Sequence, residues 1–132
     1  GDVTLKALRA LHKTSPDLVE KLFLFLRDAP LYEQIRVNNR NYILVHSGLA
    51  NYASNRDIED YTRAELLWAE PEITDRNSQS FITIFGHTPT LALKPESEGK
   101  ILYTNTWIDI DVGIPYGNPP VLLRLEDHQE FR

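Results

Sequence analysis

Two histidines in this sequence share one local pattern. His46 follows an apolar run and precedes the small residues Ser47-Gly48, and His87 follows a second apolar run and comes directly after Gly86. An apolar run that ends in small residues is typical of a buried strand followed by a turn. Proteins of the α/β class place their sites at such strand ends, so the pattern predicts that both imidazoles lie at the rim of a sheet.

Two histidines alone do not complete a metal site, because a zinc or manganese centre takes three or four protein ligands. Asp109 and Asp111 are further candidates, since they alternate with isoleucines and both carboxylates then point to the same face of a strand. Such a pair can bind a metal ion or perform acid–base catalysis; the alternative is the solvated side of an amphipathic strand. His12 lies at a helix end and His128 in an acidic tail, where exposure to solvent accounts for both.

The composition narrows the class of protein. The 132 residues carry a formal net charge of −5, with 42% hydrophobic and 25% charged residues, as expected for one soluble globular domain. This acidity argues against a surface for nucleic acid or anionic membrane. There is no cysteine, so any metal must be held by His, Asp, Glu or Asn. The longest apolar run, around Leu22–Leu26, is too short to span a bilayer, and the absence of a signal peptide predicts a cytoplasmic protein.

Two common catalytic motifs are missing from the sequence. It has no Gly-x-Ser-x-Gly nucleophile motif and no glycine loop that would hold a phosphate. It also has no methionine, and it starts at Gly1-Asp2, so we expect a piece of a longer chain.

The N-terminal residues predict two helices that serve as scaffold. Thr4 can cap the first helix, which ends before Ser15. Pro16 begins the second helix, which runs to about Arg27. This second helix is apolar over so wide a face that we expect the face to be buried.

A hairpin and a short helix are predicted next. Strands are expected at Glu33–Val37 and Tyr42–His46, joined by an asparagine-rich turn that tolerates left-handed backbone. Capping-box spacing at Thr62–Glu65 opens a helix over Ala64–Ala69. Its Leu66, Leu67 and Trp68 are expected in the core.

The remaining residues predict more strands. They are expected at Phe81–Phe85, Ile101–Thr104, Trp107–Asp111 and Val121–Leu125. Together these elements predict one domain of α/β or α+β type, with one mixed sheet and flanking helices.

Four short motifs, taken in order, resemble those of the calcineurin-like metallophosphoesterases. The similarity is closest to the branch that contains phosphoprotein phosphatases, bacterial and phage Ser/Thr phosphatases and diadenosine tetraphosphatases, and it extends from near residue 1 to about Leu125. The motifs are Val45-His46-Ser47-Gly48, Leu66-Leu67-Trp68-Ala69, Phe85-Gly86-His87-Thr88-Pro89 and Ile108-Asp109-Ile110-Asp111-Val112-Gly113.

The resemblance implies a metal site and half of the family's α/β sandwich. His46 and His87 would be ligands of one of two divalent ions, which imidazole ligands suggest to be Mn, Fe or Zn. Gly86 would leave room for the backbone beside the metal, and Thr88 would brace the turn. The two ions would hold a bridging hydroxide and clamp the phosphoryl oxygens for in-line attack.

The sequence departs from the family pattern in two ways. The family's N-terminal metal motifs are absent, so the chain resembles the C-terminal half of the enzyme and is expected to bind metal weakly and to be inactive by itself. Glu70 stands where many bacterial relatives have a phosphate-binding arginine. Arg76 and Arg63 are the candidates to replace that arginine; the alternative is that both are surface residues.

Three functions remain open at this point. The first is a Ser/Thr protein phosphatase acting on a phosphoprotein, and the second is a nucleotide hydrolase of the diadenosine tetraphosphatase kind. The third is a non-catalytic domain that binds a partner. A half-domain would also expose a sheet edge, and we therefore expect self-association through that edge.

Overall fold

The computed structural model describes residues 2–78 and 80–132. Its contacts divide the chain into two compact units, Gly1–Pro30 and Leu31–Arg132. The single domain predicted from the sequence stays a prediction.

The first unit contains two helices, α1 (Asp2–Thr14) and α2 (Pro16–Arg27). Helix α1 already includes Asp2, so the prediction that Thr4 caps this helix is wrong. Thr4 lies within the first turn, where the acidic Asp2 complements the helix dipole. Helix α2 has the predicted bounds, with proline at its start.

The apolar face of α2 is not buried as predicted. Val19 is the buried residue of the helix, whereas Phe23 is 56% and Phe25 73% exposed. Two helices can cover only part of each other's surface, and a second layer on the far side is needed to bury a wide apolar face.

The second unit is built on a five-stranded mixed sheet with the strand order β1-β2-β3-β5-β4. The predicted α/β class with a mixed sheet is thus confirmed. Strands β2, β3 and β5 are mutually parallel, while β1 and β4 run antiparallel to their neighbours. The strands are β1 (Tyr32–Val37), β2 (Arg40–Val45), β3 (Ile82–Phe85), β4 (Leu102–Tyr103) and β5 (Trp107–Asp109).

The turn between β1 and β2 is shorter than predicted. Asn38 and Asn39 alone connect the strands, and both have positive φ, at 48° and 62°. Positive φ at both central residues is the type I′ geometry, whose twist matches that of a hairpin. Because the turn is tight, β2 begins at Arg40 and His46 becomes the first residue after the strand.

The sheet has an apolar cluster on each face, because successive side chains of a strand point to opposite sides. One cluster lies under the loops and helix between β2 and β3. The other lies on the opposite face and contains strand residues that alternate with those of the first. The first comprises Val45, Tyr61, Leu66, Phe85, Leu102 and Trp107, and the second Tyr42, Ile84, Ile101, Ile108 and Val112.

Shorter elements connect the strands. Helix α3 (Arg63–Leu67) follows β2, and helix α4 (Thr90–Leu93), which was not predicted, follows β3. Three 3-10 turns complete the connections, at Ile58–Asp60, Pro95–Ser97 and Ile114–Tyr116. Within the described residues, no helix has the length and apolarity of a membrane span.

The predicted strand Val121–Leu125 does not join the main sheet. Its centre forms β6 (Leu122–Leu123), which pairs antiparallel with the unpredicted β7 (Glu130–Phe131) in a separate ribbon. The turn between them is held by Arg124, whose guanidinium donates to Asp127. Because β6 and β7 bond to each other, their backbone N–H and C=O groups are not available to pair with the main sheet.

Candidate functional site

His46 and His87 meet at the carboxyl ends of two adjacent parallel strands. His46 follows β2 and His87 lies two residues beyond β3. Nε2 of His46 is 3.0 Å from Nδ1 of His87, and the ring centroids are 4.7 Å apart. Both side chains are exposed. The expectation that the two imidazoles lie together at the rim of one sheet is confirmed.

A tight turn presents His87. The amide of Thr88 donates to the carbonyl of Gly86 at 2.9 Å, and His87, between them, has φ of +73°. A bond from i+2 to i across a residue with positive φ is a strained three-residue turn, rare for a side chain as large as imidazole. Thr88 therefore braces the turn through its backbone. The amide of Gly86 extends the sheet by donating to the carbonyl of His46 at 3.0 Å.

The two glycines near the histidines differ in what they contribute. Gly48 has φ of +107°, so the chain turns after His46 in a conformation that favours glycine. At Gly86 an added Cβ would lie 3.6 Å from Cβ of Asp111, an ordinary contact. The described neighbours do not require glycine at position 86, and its role in making room beside a metal stays a prediction.

Ser47, which is fully buried, ties the first histidine segment to helix α3. Its Oγ donates to the carbonyl of Leu66 at 3.0 Å and accepts from the amide of Ala69 at 2.8 Å. Its own amide also donates to Leu66, at 3.2 Å. These bonds satisfy backbone groups at the end of a short helix and fix that end beside the sheet rim.

Trp68 was predicted to lie in the core, and this is wrong. It is 70% exposed, and its indole packs edge-on against the His87 ring with the centroids 5.3 Å apart. Helix α3 ends one residue earlier, and Trp68 leaves the helical conformation with φ of −135°. The side chain therefore points away from the core, although Leu66 is buried as predicted.

The start of α3 is fixed by the predicted capping box. The Thr62 hydroxyl accepts from the amide of Glu65, and the Glu65 carboxylate accepts from the amide of Thr62 at 2.9 Å. Arg56 adds a bidentate pair to the same carboxylate, with both bonds at 2.8 Å. The bonds from Arg56, followed by those from Thr62, hold the pKa of Glu65 far below its usual value. The helix that leads to Trp68 is thus anchored at both ends.

Asp109 is fully buried, which contradicts the solvated side of an amphipathic strand. Its Oδ1 accepts from the amide of Asp111 at 2.9 Å, and its Oδ2 has no partner among the described atoms. Burial raises the pKa of Asp109 to about 7, and the nearby carboxylate of Asp111 acts in the same direction. Strand β5 ends at Asp109, so Asp111 lies beyond the strand, half-buried, and accepts from the amide of Gly113.

The donor set for a metal consists of the two imidazoles. Over residues 2–78 and 80–132 no group of three or more His, Asp or Glu side chains is placed to hold an ion. Two nitrogens 3.0 Å apart, each at about 2.1 Å from one ion, subtend about 90°. That angle matches neighbouring positions of an octahedral ion. In the structure the 3.0 Å contact is a hydrogen bond in which one imidazole donates to the other, so a metal would have to displace that proton. His46 and His87 therefore fit a metal as part of a larger site.

A cavity of about 520 Å³ shares Trp68 with the histidine pair, although neither histidine is part of its lining. Gly48 and Phe85, each two residues from one of the histidines, form part of its lining, as does Trp68. Arg76 also lines it, but its Nη1 donates to backbone carbonyls of its own loop, those of Ile73 and Asp75.

The other sequence candidates lie apart from this site. Arg63 is the exposed first residue of α3 and is not part of the cavity lining. His12 is exposed on α1, as predicted. His128 is half-buried rather than exposed: its Nε2 is 3.3 Å from the hydroxyl of Tyr42, and its ring stacks on Tyr103. The turn between β6 and β7 brings it there, so its role is structural.

Sequence reasoning missed the contribution of Ser47 and of Trp68 to the site. A small polar residue directly after a candidate ligand is a weak signal for the bonds that Ser47 makes, because its partners are 19 and 22 residues away. The exposure of Trp68 follows from a helix that ends at Leu67, two residues before the predicted Ala69, and helix ends are poorly defined by sequence.

Comparison of the chain with protein-family models, with curated proteins and with solved structures finds no match. The geometry of His46 and His87 is therefore the evidence on which a function can be based.

Proposed function

We propose that this chain provides part of the dinuclear metal centre of a metal-dependent phosphoester hydrolase, a Ser/Thr protein phosphatase. The observation that supports the proposal is the 3.0 Å approach of His46 Nε2 and His87 Nδ1 at the carboxyl edge of a mixed sheet. The four motifs that resemble calcineurin-like metallophosphoesterases include both residues.

The described side chains would hold and orient a metal. His46 and His87 would each give one nitrogen, and imidazole suits Mn, Fe or Zn. The ions, when bound, supply Lewis-acid stabilisation of the phosphoryl oxygens and activate water. Trp68 restricts the His87 ring from one side, and the turn at Gly86–Thr88 fixes its backbone.

Two ligands are too few for a working centre, so the remaining ligands would come from residues outside this chain. The polypeptide by itself is then expected to bind divalent ions weakly and to be inactive. Its proposed location is the cytoplasm.

Two other functions use the same surface. A diadenosine tetraphosphatase-like hydrolase would use the same metal ligands, and a non-catalytic domain would use this rim to bind a partner. Activity on a phosphopeptide, compared with activity on a dinucleoside polyphosphate, distinguishes the two enzymes. The measurement uses a polypeptide that joins this chain to residues that supply the remaining metal ligands. The non-catalytic alternative gains support if His46 and His87 do not respond to metal.

The experiment that tests the proposal is a titration of the ¹⁵N-labelled chain with Mn²⁺, followed by NMR. Paramagnetic broadening is expected first at residues next to His46 and His87. His46→Ala and His87→Ala should each abolish this selective broadening, while His12→Ala, which removes an exposed imidazole on α1, should leave it unchanged. Broadening that is uniform, or that persists in the first two variants, refutes the metal site. Turnover of a generic phosphoester by the chain with Mn²⁺ alone refutes the idea that its site is incomplete.

A further inference from the structure

The cavity next to the histidine pair has an acidic wall. Glu70, Glu72 and Asp75 contribute carboxylates to its lining, and Arg76 contributes the opposing cation. Three carboxylates and one guanidinium leave a formal charge of −2 around a volume of about 520 Å³.

Two of these carboxylates are available to a ligand. The side chains of Glu70 and Glu72 are exposed and have no ion-pair or hydrogen-bond partner in the described part of the chain. By contrast, Asp75 accepts from the amide of Glu72 at 2.7 Å, and Arg76 donates to the backbone carbonyl of Asp75 at 2.8 Å. Arg76 is thus bonded to its own loop, and its single positive charge leaves two of the three carboxylate charges of the lining uncompensated.

An aromatic surface lies between the carboxylates and the histidines. Trp68 is 70% exposed and lines the cavity, while its ring makes a T-shaped contact with His87. Tyr52, half-buried, lies on the same lining. Cations bind favourably over indole and phenol faces, and adjacent carboxylates strengthen that preference. Aromatic and acidic groups together therefore favour an ammonium or guanidinium group.

We propose that this cavity receives a lysine or arginine side chain next to the phosphorylated residue of the substrate, so that the substrate is a basic phosphopeptide. The inference rests on the proposed function, because Trp68 is the wall that the cavity shares with the histidine pair. A phosphate held at His46 and His87 and a cation held at Glu70 and Glu72 would together select peptides of mixed charge.

The same charges disfavour the nucleotide alternative. A dinucleoside polyphosphate would bring several negative charges along the wall formed by Glu70, Glu72 and Asp75. Like charges at such close range are unfavourable, and Arg76, the one cation in the lining, offsets only one of the three carboxylates.

The test uses the metal-free, ¹⁵N-labelled chain and two capped peptides, Ala-Arg-Ala-Arg-Ala and Ala-Glu-Ala-Glu-Ala. The chain has two tryptophans, so its spectrum holds two indole N–H signals. We expect the arginine peptide to shift the Trp68 signal and to bind more weakly as salt is added, because exposed charges are screened. The indole of Trp107 also lines the cavity and donates to the carbonyl of Asp75, so the backbone amides of β6 and β7, which are not part of the lining, serve as the internal reference.

Charge-removing variants make the test specific. Glu70→Gln and Glu72→Gln should each weaken binding of the arginine peptide by about two- to fivefold, the range of an exposed ion pair. The matched control is Glu98→Gln, an exposed glutamate that is not part of the lining, and it should bind as the wild type does. Because all three changes are at exposed positions, folding is expected to be retained and is checked in the same spectra.

The proposal is overturned if the glutamate peptide shifts Trp68 equally, if no shift occurs, or if Glu98→Gln weakens binding as much as the other two. The His46→Ala/His87→Ala double variant should still bind the arginine peptide. Failure of Mn²⁺ binding at the histidines therefore counts against the proposed function, whereas failure of peptide binding counts against the cation cavity alone.

Discussion

The indole of Trp68 packs edge-on against the imidazole of His87, with the ring planes at 86° and the centroids 5.3 Å apart. An exposed tryptophan thus packs beside His87, a candidate metal ligand. Groups that orient a metal-binding imidazole affect the affinity for the metal even though they do not touch it. This contact makes the C-terminal end of α3 part of the site.

Replacing Trp68 should lower the affinity for metal and leave the stability of the fold nearly unchanged. Trp68→Ala is expected to lower the affinity for Mn²⁺ by about tenfold, because the His87 ring loses the contact that orients it. The free energy of unfolding should change little, since the side chain is largely exposed. NMR titration and urea unfolding measure the two quantities. Tyr116→Ala removes another exposed aromatic, and a similar loss of affinity in that variant would contradict a specific role for Trp68.

Removing the Ser47 hydroxyl should destabilise the second unit. Ser47→Ala leaves the buried amide of Ala69 without its acceptor, which is expected to lower the free energy of unfolding by about 1–3 kcal/mol. Urea unfolding followed by Trp107 fluorescence measures the change. Ser54→Ala, at an exposed position, is the control and should lie within about 0.5 kcal/mol of the wild type. Equal stability of the two variants would show that the Ser47 bonds contribute nothing.

Asp109 should make the fold less stable as the pH rises. Its pKa is raised from 3.8 to about 7 in the folded chain, so the folded state holds the proton more tightly than the unfolded state. The stability associated with the neutral carboxyl is complete below pH 3.8 and is lost as the pH rises through 7. Between pH 5 and pH 8 the loss from this residue is about 2–3 kcal/mol.

Asp109→Asn tests that dependence. Asparagine keeps an acceptor for the amide of Asp111 and cannot ionise, so the variant should gain stability relative to the wild type from pH 5 to pH 8. Urea unfolding at the two pH values measures this gain. Asp57→Asn, at an exposed position, should show no comparable gain. Parallel pH profiles for Asp109→Asn and wild type would mean that Asp109 is ionised in the folded chain.

The outer edge of β1 is expected to mediate self-association. β1 pairs only with β2 in the described sheet, and an unpaired edge is a template for a second strand. A lysine on such an edge opposes pairing, so Gln34→Lys should shift sedimentation toward the monomer. Phe25→Ser reduces the exposed apolar surface of α2 instead. If that variant, and not Gln34→Lys, dissociates the assembly, association occurs through the helix.

The sequence predicted the parts of the fold that depend on local pattern. The strands on either side of the Asn38-Asn39 turn, the capping box at Thr62–Glu65 and the position of each histidine just beyond a strand all follow from residue type and spacing. Each signal lies within a few residues of the feature that it specifies.

The parts that depend on distant contacts were not predicted. The burial of Asp109 is decided by strands β3 and β4 on either side of it, and the pairing of β6 with β7 requires a turn that the apolar pattern does not mark. The alternating residues of β5 are compatible with one solvated face, and only the two apolar clusters, which contain Trp107 and Ile108 respectively, show that both faces of this strand are covered.

The left-handed backbone at His87 implies that the fold would be more stable with a different residue at this position. At φ of +73°, glycine avoids the steric conflict that any side chain creates, so His87→Gly should melt at a higher temperature than His87→Ala. At position 87, metal binding would then require histidine, whereas heat resistance would favour glycine. A calorimetric scan of the two variants, both lacking the imidazole, isolates the backbone contribution.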